Sequence, residues 1–163
     1  MTAPLAALVE RWDDLPKIPG RIVVSPAVRA FFLAGLAVEA DGPLLAMVPG
    51  EREAEDLADD LELFTDRSLF LPAWETLPFE HVSPNVATMA QRAAARHALG
   101  SGEAGLVVVG SVRAVLQRVS PSPVTPVIVR KGESHDFEGL VEALVGAGYE
   151  RTELGDRMLE AWA

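Results

Sequence analysis

The sequence predicts an α/β fold in which a parallel sheet is covered by helices. Short β-branched or aliphatic runs alternate along the chain with longer amphipathic or alanine-rich stretches of helical length. The 163 residues are 49% hydrophobic, which is enough apolar surface for an ordinary core. The predicted order is strand, helix, strand, helix, strand, loop, helix, strand and helix. That order favours parallel strands joined by crossover helices.

The elements follow from local composition and periodicity. We predict strands at residues 21–25, 44–48, 68–71 and 106–109, and helices at 27–40, 51–64, 85–99 and 112–119. The helix 51–64 has the clearest pattern, with one apolar face made of Ala54, Leu57, Ala58, Leu61 and Phe64. For the helix 85–99 we predict a buried stripe of Val86, Met89, Ala90 and Ala93.

A proline-rich stretch marks a domain boundary. Residues 120–126 contain three prolines, which disfavour regular structure. Beyond it we predict a strand at 127–130, a charged turn at 131–134 and a helix at 137–147, with Gly148 as its C-cap. The predicted domains are therefore residues 1–120 and 121–163.

Charge and composition exclude several classes of protein. The chain has no cysteine, so disulfide scaffolds and thiolate chemistry are excluded. Its formal charge of −10 argues against a dedicated nucleic-acid binder. Residues 39–62 hold nine acidic residues and one arginine, whereas 91–132 hold six basic residues and one glutamate. We expect a dipolar, cytoplasmic protein without signal peptide or membrane segment, whose second half could contact an anionic partner.

The first strand-to-helix turn lacks the features of a phosphate-binding loop. Residues 24–29 contain no glycine, and Pro26 removes one backbone N–H donor. Neither lysine, Lys17 or Lys131, is followed by serine or threonine. The strand 106–109 is followed by Gly110 and Ser111, not by a carboxylate pair that could hold magnesium. We expect no ATP hydrolysis and no cofactor.

Other catalytic and metal sites find equally little support. The histidines His81, His97 and His135 do not have the i, i+4 spacing of a helical metal pair. The carboxylates Asp56, Asp59 and Asp60 are read as a solvated helix face, and a cation site is the alternative. Ser83 and Ser111 have no evident base. We expect no catalytic residue and no metal ligand.

Three stretches carry a resemblance to known proteins. Residues 44–57 (LLAMVPGEREAEDL) and 107–116 (VVVGSVRAVL) resemble strand-turn-helix segments of superfamily 2 helicases. The third, residues 71–85 (LPAWETLPFEHVSPN), resembles the Trp-Glu-Thr-Leu-Pro segment of bacterial transcription-repair coupling factor. The signature loop of that resemblance is Trp74, Glu75, Thr76, Leu77, Pro78 and Phe79. The likeness runs from about residue 22 to about residue 153.

The resemblance implies a RecA-like, UvrB-related domain at 1–120 that lacks the Walker motifs, and the start of a UvrA-binding subdomain at 121–163. It implies a non-catalytic interaction module, through which the full-length family members recruit UvrA; the family segment that supplies the key UvrA contacts is not matched by residues 154–163. In the family, ATP, magnesium, RNA polymerase and DNA belong to the full-length protein, whose motor is separate. Residues 154–163 depart from the family pattern, and we read them as a truncated or frame-shifted end, or alternatively as one amphipathic turn.

The basic residues of the second half are the candidate contacts. They are Arg92, Arg96, Arg113, Arg118 and Lys131, and the four arginines are read either as solvated surface or as contacts to phosphate or protein. Trp74 and Phe79 are expected to pack their proline-rich loop onto the sheet, with partner contact as the alternative.

Two other functions stay open at this point. The chain could be a degenerate motor domain that still binds a nucleotide or DNA. It could also be an α/β domain that binds a small acid at the carboxyl ends of its strands.

Overall fold

The computed structural model describes residues 3–10, 20–76, 85–119, 126–147 and 149. The chain divides into two units, Met1–Val124 and Thr125–Ala163. The strands are β1 (Leu44–Val48), β2 (Ser68–Leu71) and β3 (Val107–Ser111). The helices are α1 (Ala6–Val9), α2 (Arg29–Glu39), α3 (Glu51–Leu61), α4 (Val86–Ser101), α5 (Val112–Leu116) and α6 (Phe137–Gly146).

The described strands form one parallel sheet in the order β1-β3-β2. In the register of β3, Val107 stands opposite both Leu44 of β1 and Ser68 of β2. Each crossover contains a helix, as parallel connections require. The predicted α/β fold with a parallel sheet flanked by helices is therefore confirmed, and the topology is consistent with a RecA-like module.

The central strand β3 has a hydrophobic cluster on each face. Val107 and Val109 pack against α2 and α3, while Val108 and the preceding Leu106 pack on the opposite side with Ala95 of α4. All five residues of β3 are buried. A strand covered on both faces needs a continuous apolar run, which is the pattern of this sequence.

The edge strand β1 is covered on one face only. Leu44, Ala46 and Val48 belong to the cluster beneath α2 and α3. Leu45 and Met47 alternate with them and are 45% and 57% exposed. An apolar strip is thus left open along β1 in the described part of the chain.

The predicted apolar face of α3 is confirmed for its helical part. Ala54, Leu57, Ala58 and Leu61 are buried. Phe64 follows the end of α3 and packs edge-on against Phe31 of α2, with the ring centroids 5.7 Å apart. The carboxylates of α3 occupy its opposite face, and Glu51 and Glu53 lie in its first turn, where the helix dipole favours them.

Two strand predictions are wrong. Residues 21–25 and 127–130 are described, and neither stretch forms a strand. Both contain β-branched residues, but Val23, Ile128 and Val129 are mostly exposed. A high β-propensity means that a side chain packs well on a half-buried sheet. It does not produce a strand where the chain has no neighbouring strand to pair with and no surface to pack on.

The predicted buried stripe of α4 is also wrong. Val86, Met89 and Ala90 are exposed, and the buried residues are Thr88, Arg92 and Ala95. The six alanines of this helix are spread over more than half of its circumference, so the apolar periodicity is weak. Polar contacts determine which face of α4 is buried instead, because Thr88 and Arg92 form hydrogen bonds with the loop after β2.

The second unit contains one described helix. Asp136 caps α6 by accepting a hydrogen bond from the backbone N–H of Gly139 at 3.0 Å. The helix has no buried residue in the described structure, and the predicted C-cap Gly148 and the tail 154–163 lie outside the described residues. Across the described ranges, no helix has both the length and the apolar character needed to cross a bilayer.

Candidate functional site

The turns that follow the three strands meet at the carboxyl edge of the sheet. Glu51 begins α3 just after β1, the segment 72–76 follows β2, and Ser111 ends β3. In open α/β sheets this edge is the usual position of a ligand site. The contacts of the side chains at this edge therefore bear directly on whether the chain could bind a ligand there.

Glu51 joins these three turns through its carboxylate. One oxygen accepts a hydrogen bond from the backbone N–H of Ala73 at 2.5 Å, and the other accepts one from the Ser111 hydroxyl at 2.5 Å. The Ser111 oxygen in turn accepts from the backbone N–H of Ala114 at 3.0 Å and so caps α5. The acceptor atoms of Glu51 are thus engaged within the protein.

Arg92 of α4 lies beneath the loop that follows β2. It is 2% exposed, and its Nη1 donates to the carbonyl of Pro72 at 2.5 Å and to Oε1 of Gln117 at 3.3 Å. The guanidinium carbon lies 4.7 Å from the centroid of the Trp74 ring, a cation–π distance. Nε and Nη2 are buried and have no hydrogen-bond partner within the described residues.

The electrostatics of Arg92 follow from its position. Burial lowers the pKa of Arg92, and the positive charge of Arg96 lowers this pKa further. Glu51 acts in the opposite direction. Arginine nevertheless keeps its proton in proteins, so Arg92 is a buried positive charge.

Gln117 fixes the backbone of Trp74. Its Oε1 accepts from the Trp74 backbone N–H at 2.7 Å, and its Nε2 donates to the Trp74 carbonyl at 3.3 Å. Arg113 Nη2 donates to the same carbonyl at 3.0 Å. Leu71, Pro72 and Ala73, which precede the signature loop, are buried, whereas Trp74 is half-buried and contacts Arg92, Arg113 and Gln117. Packing of the signature loop onto the sheet therefore stays a prediction.

The rest of the signature loop is described only in part. The carboxylate of Glu75 accepts a hydrogen bond from the Thr88 hydroxyl at 3.1 Å, and Thr76 is half-buried. Leu77, Pro78 and Phe79 lie outside the described residues, so the packing predicted for Phe79 stays a prediction.

The candidate basic residues fall into three places. Arg92, Arg96 and Arg118 line one pocket together with Trp74, and its volume is about 250 Å³. Arg113 is exposed and is held by the loop backbone. Lys131 is exposed in the second unit. The solvated-surface reading of Arg92 is wrong, because its guanidinium is covered by Trp74 and bound by Pro72.

Sequence reasoning missed Glu51 and Gln117 as parts of this site. The position of Glu51 in the first turn of a helix does not by itself indicate these contacts, and nothing in the local sequence points to Gln117. One signal was available: Ser111 directly precedes a short helix, which is the position of an N-cap.

The turn before α2, which was predicted to follow a strand, is a 3₁₀ turn in the structure. Ser25 precedes a 3₁₀ turn, Pro26–Val28, and α2 follows directly. Arg29 Nη1 lies 2.8 Å from Oε1 of Glu53, so this arginine at the start of α2 already has a carboxylate partner. Within the described ranges, no three histidine, aspartate or glutamate side chains group as metal ligands; His81 and Ser83 lie outside these ranges.

Comparison with known proteins gives one consistent relationship. No family model matches the chain. It is 34% identical to the transcription-repair-coupling factor of Mycobacterium tuberculosis over 173 aligned positions, which cover 94% of this chain and 14% of that protein. The factor of Myxococcus xanthus is 34% identical over 78% of this chain and 12% of its own length. That of Escherichia coli is 29% identical over 76% of this chain and 11% of its own length.

Each alignment spans only a small part of the relative, and all of these relatives are transcription-repair-coupling factors. The resemblance read from residues 71–85 is therefore confirmed. The chain belongs to the transcription-repair-coupling factor family and matches one short segment of its members.

Proposed function

We propose that this chain serves transcription-coupled repair as a UvrB-like module that works by protein contact and not by catalysis, with UvrA as its partner. The similarity to transcription-repair-coupling factors supports the process. Under this proposal, ATP, magnesium, RNA polymerase and DNA are bound by the parts of the full-length relatives that this chain does not match. Direct DNA contact by this chain is weak or absent, because its net charge of −10 opposes it.

One observation carries the non-catalytic part of the proposal. Among the described residues at the carboxyl edge of the sheet, the side chains of Glu51, Ser111 and Gln117 are already hydrogen-bonded within the protein. Glu51 binds Ser111 and Ala73, and Gln117 binds the backbone of Trp74. A nucleotide would have to break these bonds before it could form its own, and the 3₁₀ turn at Pro26–Val28 offers no glycine-rich cradle in return.

Exposed apolar side chains in the second unit support protein contact. Ile128, Val129, Phe137, Val145 and Tyr149 are each more than half exposed. Large apolar side chains left open on a small unit are typical of a contact surface. The domain boundaries predicted from the sequence would make this unit the start of the UvrA-binding subdomain.

The test is a binding titration with purified UvrA from Mycobacterium tuberculosis. We expect the intact chain to bind UvrA, and Phe137→Ser to weaken the affinity at least about ten-fold, since a large exposed anchor is lost. The matched control is Val86→Ser, because Val86 is similarly exposed but lies in the first unit. No binding by the intact chain, or equal weakening by both substitutions, would contradict the proposed partner.

A second experiment separates the proposal from the nucleotide-binding alternative. Equilibrium binding of fluorescent ATP to the chain should show no saturation. Saturable binding that disappears when residues 25–29 are replaced would favour a degenerate motor domain that retains its nucleotide.

A further inference from the structure

The pocket beside Trp74 combines positive charge with an apolar lining. Arg92, Arg96 and Arg118 contribute the charge, and Met89 and Val119 contribute apolar surface. No carboxylate is among the described residues that line it. In a chain with ten more formal negative than positive charges, three arginines around one cavity are a local reversal of sign.

The positive charges of the arginines in this pocket repel one another. Arg92 and Arg96 stand one helical turn apart on α4, and the charge of Arg96 disfavours the protonated form of Arg92. The carboxylate that offsets Arg92 is Glu51, which already accepts hydrogen bonds from Ala73 and Ser111. Two nitrogens of Arg92 are buried without a hydrogen-bond partner in the described structure. An anion in the pocket would lower the cost of this buried charge.

The arginines would act in two ways. Trp74 covers the guanidinium of Arg92, so Arg92 contributes its field from beneath the ring. Arg118 is exposed and Arg96 is half-buried, so both can contact a ligand in the pocket. Their planar guanidinium groups suit a carboxylate, which they can bind through two parallel hydrogen bonds.

We propose that this pocket binds an acidic peptide segment of a protein partner, in which a carboxylate side chain contacts Arg96 and Arg118 and a neighbouring apolar side chain enters between Trp74, Met89 and Val119. The volume of about 250 Å³ is sufficient for such a side chain. A nucleic acid is disfavoured, because its polar sugar-phosphate backbone matches the apolar lining less well than a leucine-sized side chain and the chain's net charge of −10 opposes its approach. This site lies in the first unit and is independent of the UvrA contact proposed for the second.

The test uses the full chain labelled with ¹⁵N and a synthetic probe, acetyl-Gly-Glu-Leu-Glu-Leu-Gly-amide. The indole N–H signal of Trp74 and the backbone signals of α4 are followed by NMR during the titration. We expect saturable shifts with this peptide and none with its counterpart in which glutamine replaces both glutamates. Arg96→Gln and Arg118→Gln should each weaken the affinity about ten-fold, the loss expected for one charge-assisted pair.

The matched control is Arg52→Gln. Arg52 is 92% exposed on α3 and its replacement changes the net charge by the same amount, so its affinity should stay that of the unaltered chain. Absence of saturation, or equal weakening by all three substitutions, overturns the proposal. A short oligothymidylate that binds more tightly than the peptide, with the same dependence on Arg96 and Arg118, would also overturn it and assign the pocket to nucleic acid.

Discussion

The guanidinium carbon of Arg92 lies 4.7 Å from the centroid of the Trp74 ring, and the same side chain holds the carbonyl of Pro72. Helix α4 is thereby tied to the loop that carries the family signature. The signature tryptophan thus has a structural role in the described chain: it covers a buried charge and forms one side of an open pocket.

Replacement of Arg92 by alanine should lower the free energy of unfolding by about 2 kcal/mol. The Pro72 carbonyl loses its partner, which costs about 1–3 kcal/mol, and the cation–π contact is lost too. Relief of a partly unsatisfied buried charge offsets some of this. Urea denaturation measures the change, and Arg52→Ala, at an exposed position of α3, is the control, with an expected change within about 0.5 kcal/mol. An Arg92→Ala chain as stable as the control would contradict the role given to this residue.

Glu51 and Ser111 should be energetically coupled. Glu51→Ala is expected to destabilise the chain by about 1–2 kcal/mol, because it removes the acceptor for both Ala73 and Ser111. In a double-mutant cycle with Ser111→Ala, we expect a coupling energy of about 1 kcal/mol. Glu55→Ala, on the exposed side of the same helix, should show no coupling to Ser111→Ala. Strictly additive effects of Glu51→Ala and Ser111→Ala would argue against the contact.

Gln117→Leu should release the Trp74 backbone without unfolding the sheet. Gln117 provides the acceptor for the Trp74 N–H and a donor to its carbonyl. Native-state hydrogen exchange should therefore accelerate at the Trp74 amide by about ten-fold or more, since local opening becomes easier. The amides of Val107 to Val109 are the internal reference and should keep their protection. Uniform acceleration at all of these amides would indicate global destabilisation instead.

Two glycine-to-alanine substitutions should change the stability of the chain in opposite directions. A Cβ at Gly110 of β3 would lie 3.3 Å from both Cβ and the carbonyl oxygen of Leu71, so Gly110→Ala should cost about 1–3 kcal/mol. Gly100 in α4 has open space around it, and Gly100→Ala should stabilise the chain by about 0.5–1 kcal/mol. Thermal unfolding of the two variants measures both changes. A stabilised Gly110→Ala chain would contradict the close approach of β2 and β3.

The sequence predicted those elements whose apolar pattern is strong. The bounds of β1 and β2 agree with their predictions, and the face of α3 was recognised because its carboxylates and leucines segregate cleanly. Residues 21–25 and 127–130 were misread, since β-branched composition cannot report whether a neighbouring strand is present. The phase of α4 failed because a contact between Arg92 and Pro72, twenty positions away, overrides a weak alanine pattern.

Only part of the membership of the candidate site was predictable from the sequence. The signature loop and the arginines of residues 92–118 could be named from the sequence, and three of those arginines do meet at one pocket. The sequence does not reveal which of these arginines are buried, half-buried or exposed. Their burial depends on contacts such as Gln117 with Trp74, which are 43 residues apart and leave no local pattern.

The open strip of Leu45 and Met47 has a practical consequence for work with this chain. It runs along a strand whose outer backbone edge is unpaired among the described strands, and such an edge is a template for pairing with another molecule. Concentrated samples should therefore self-associate, and charged replacements at Leu45 or Met47 should keep them monodisperse.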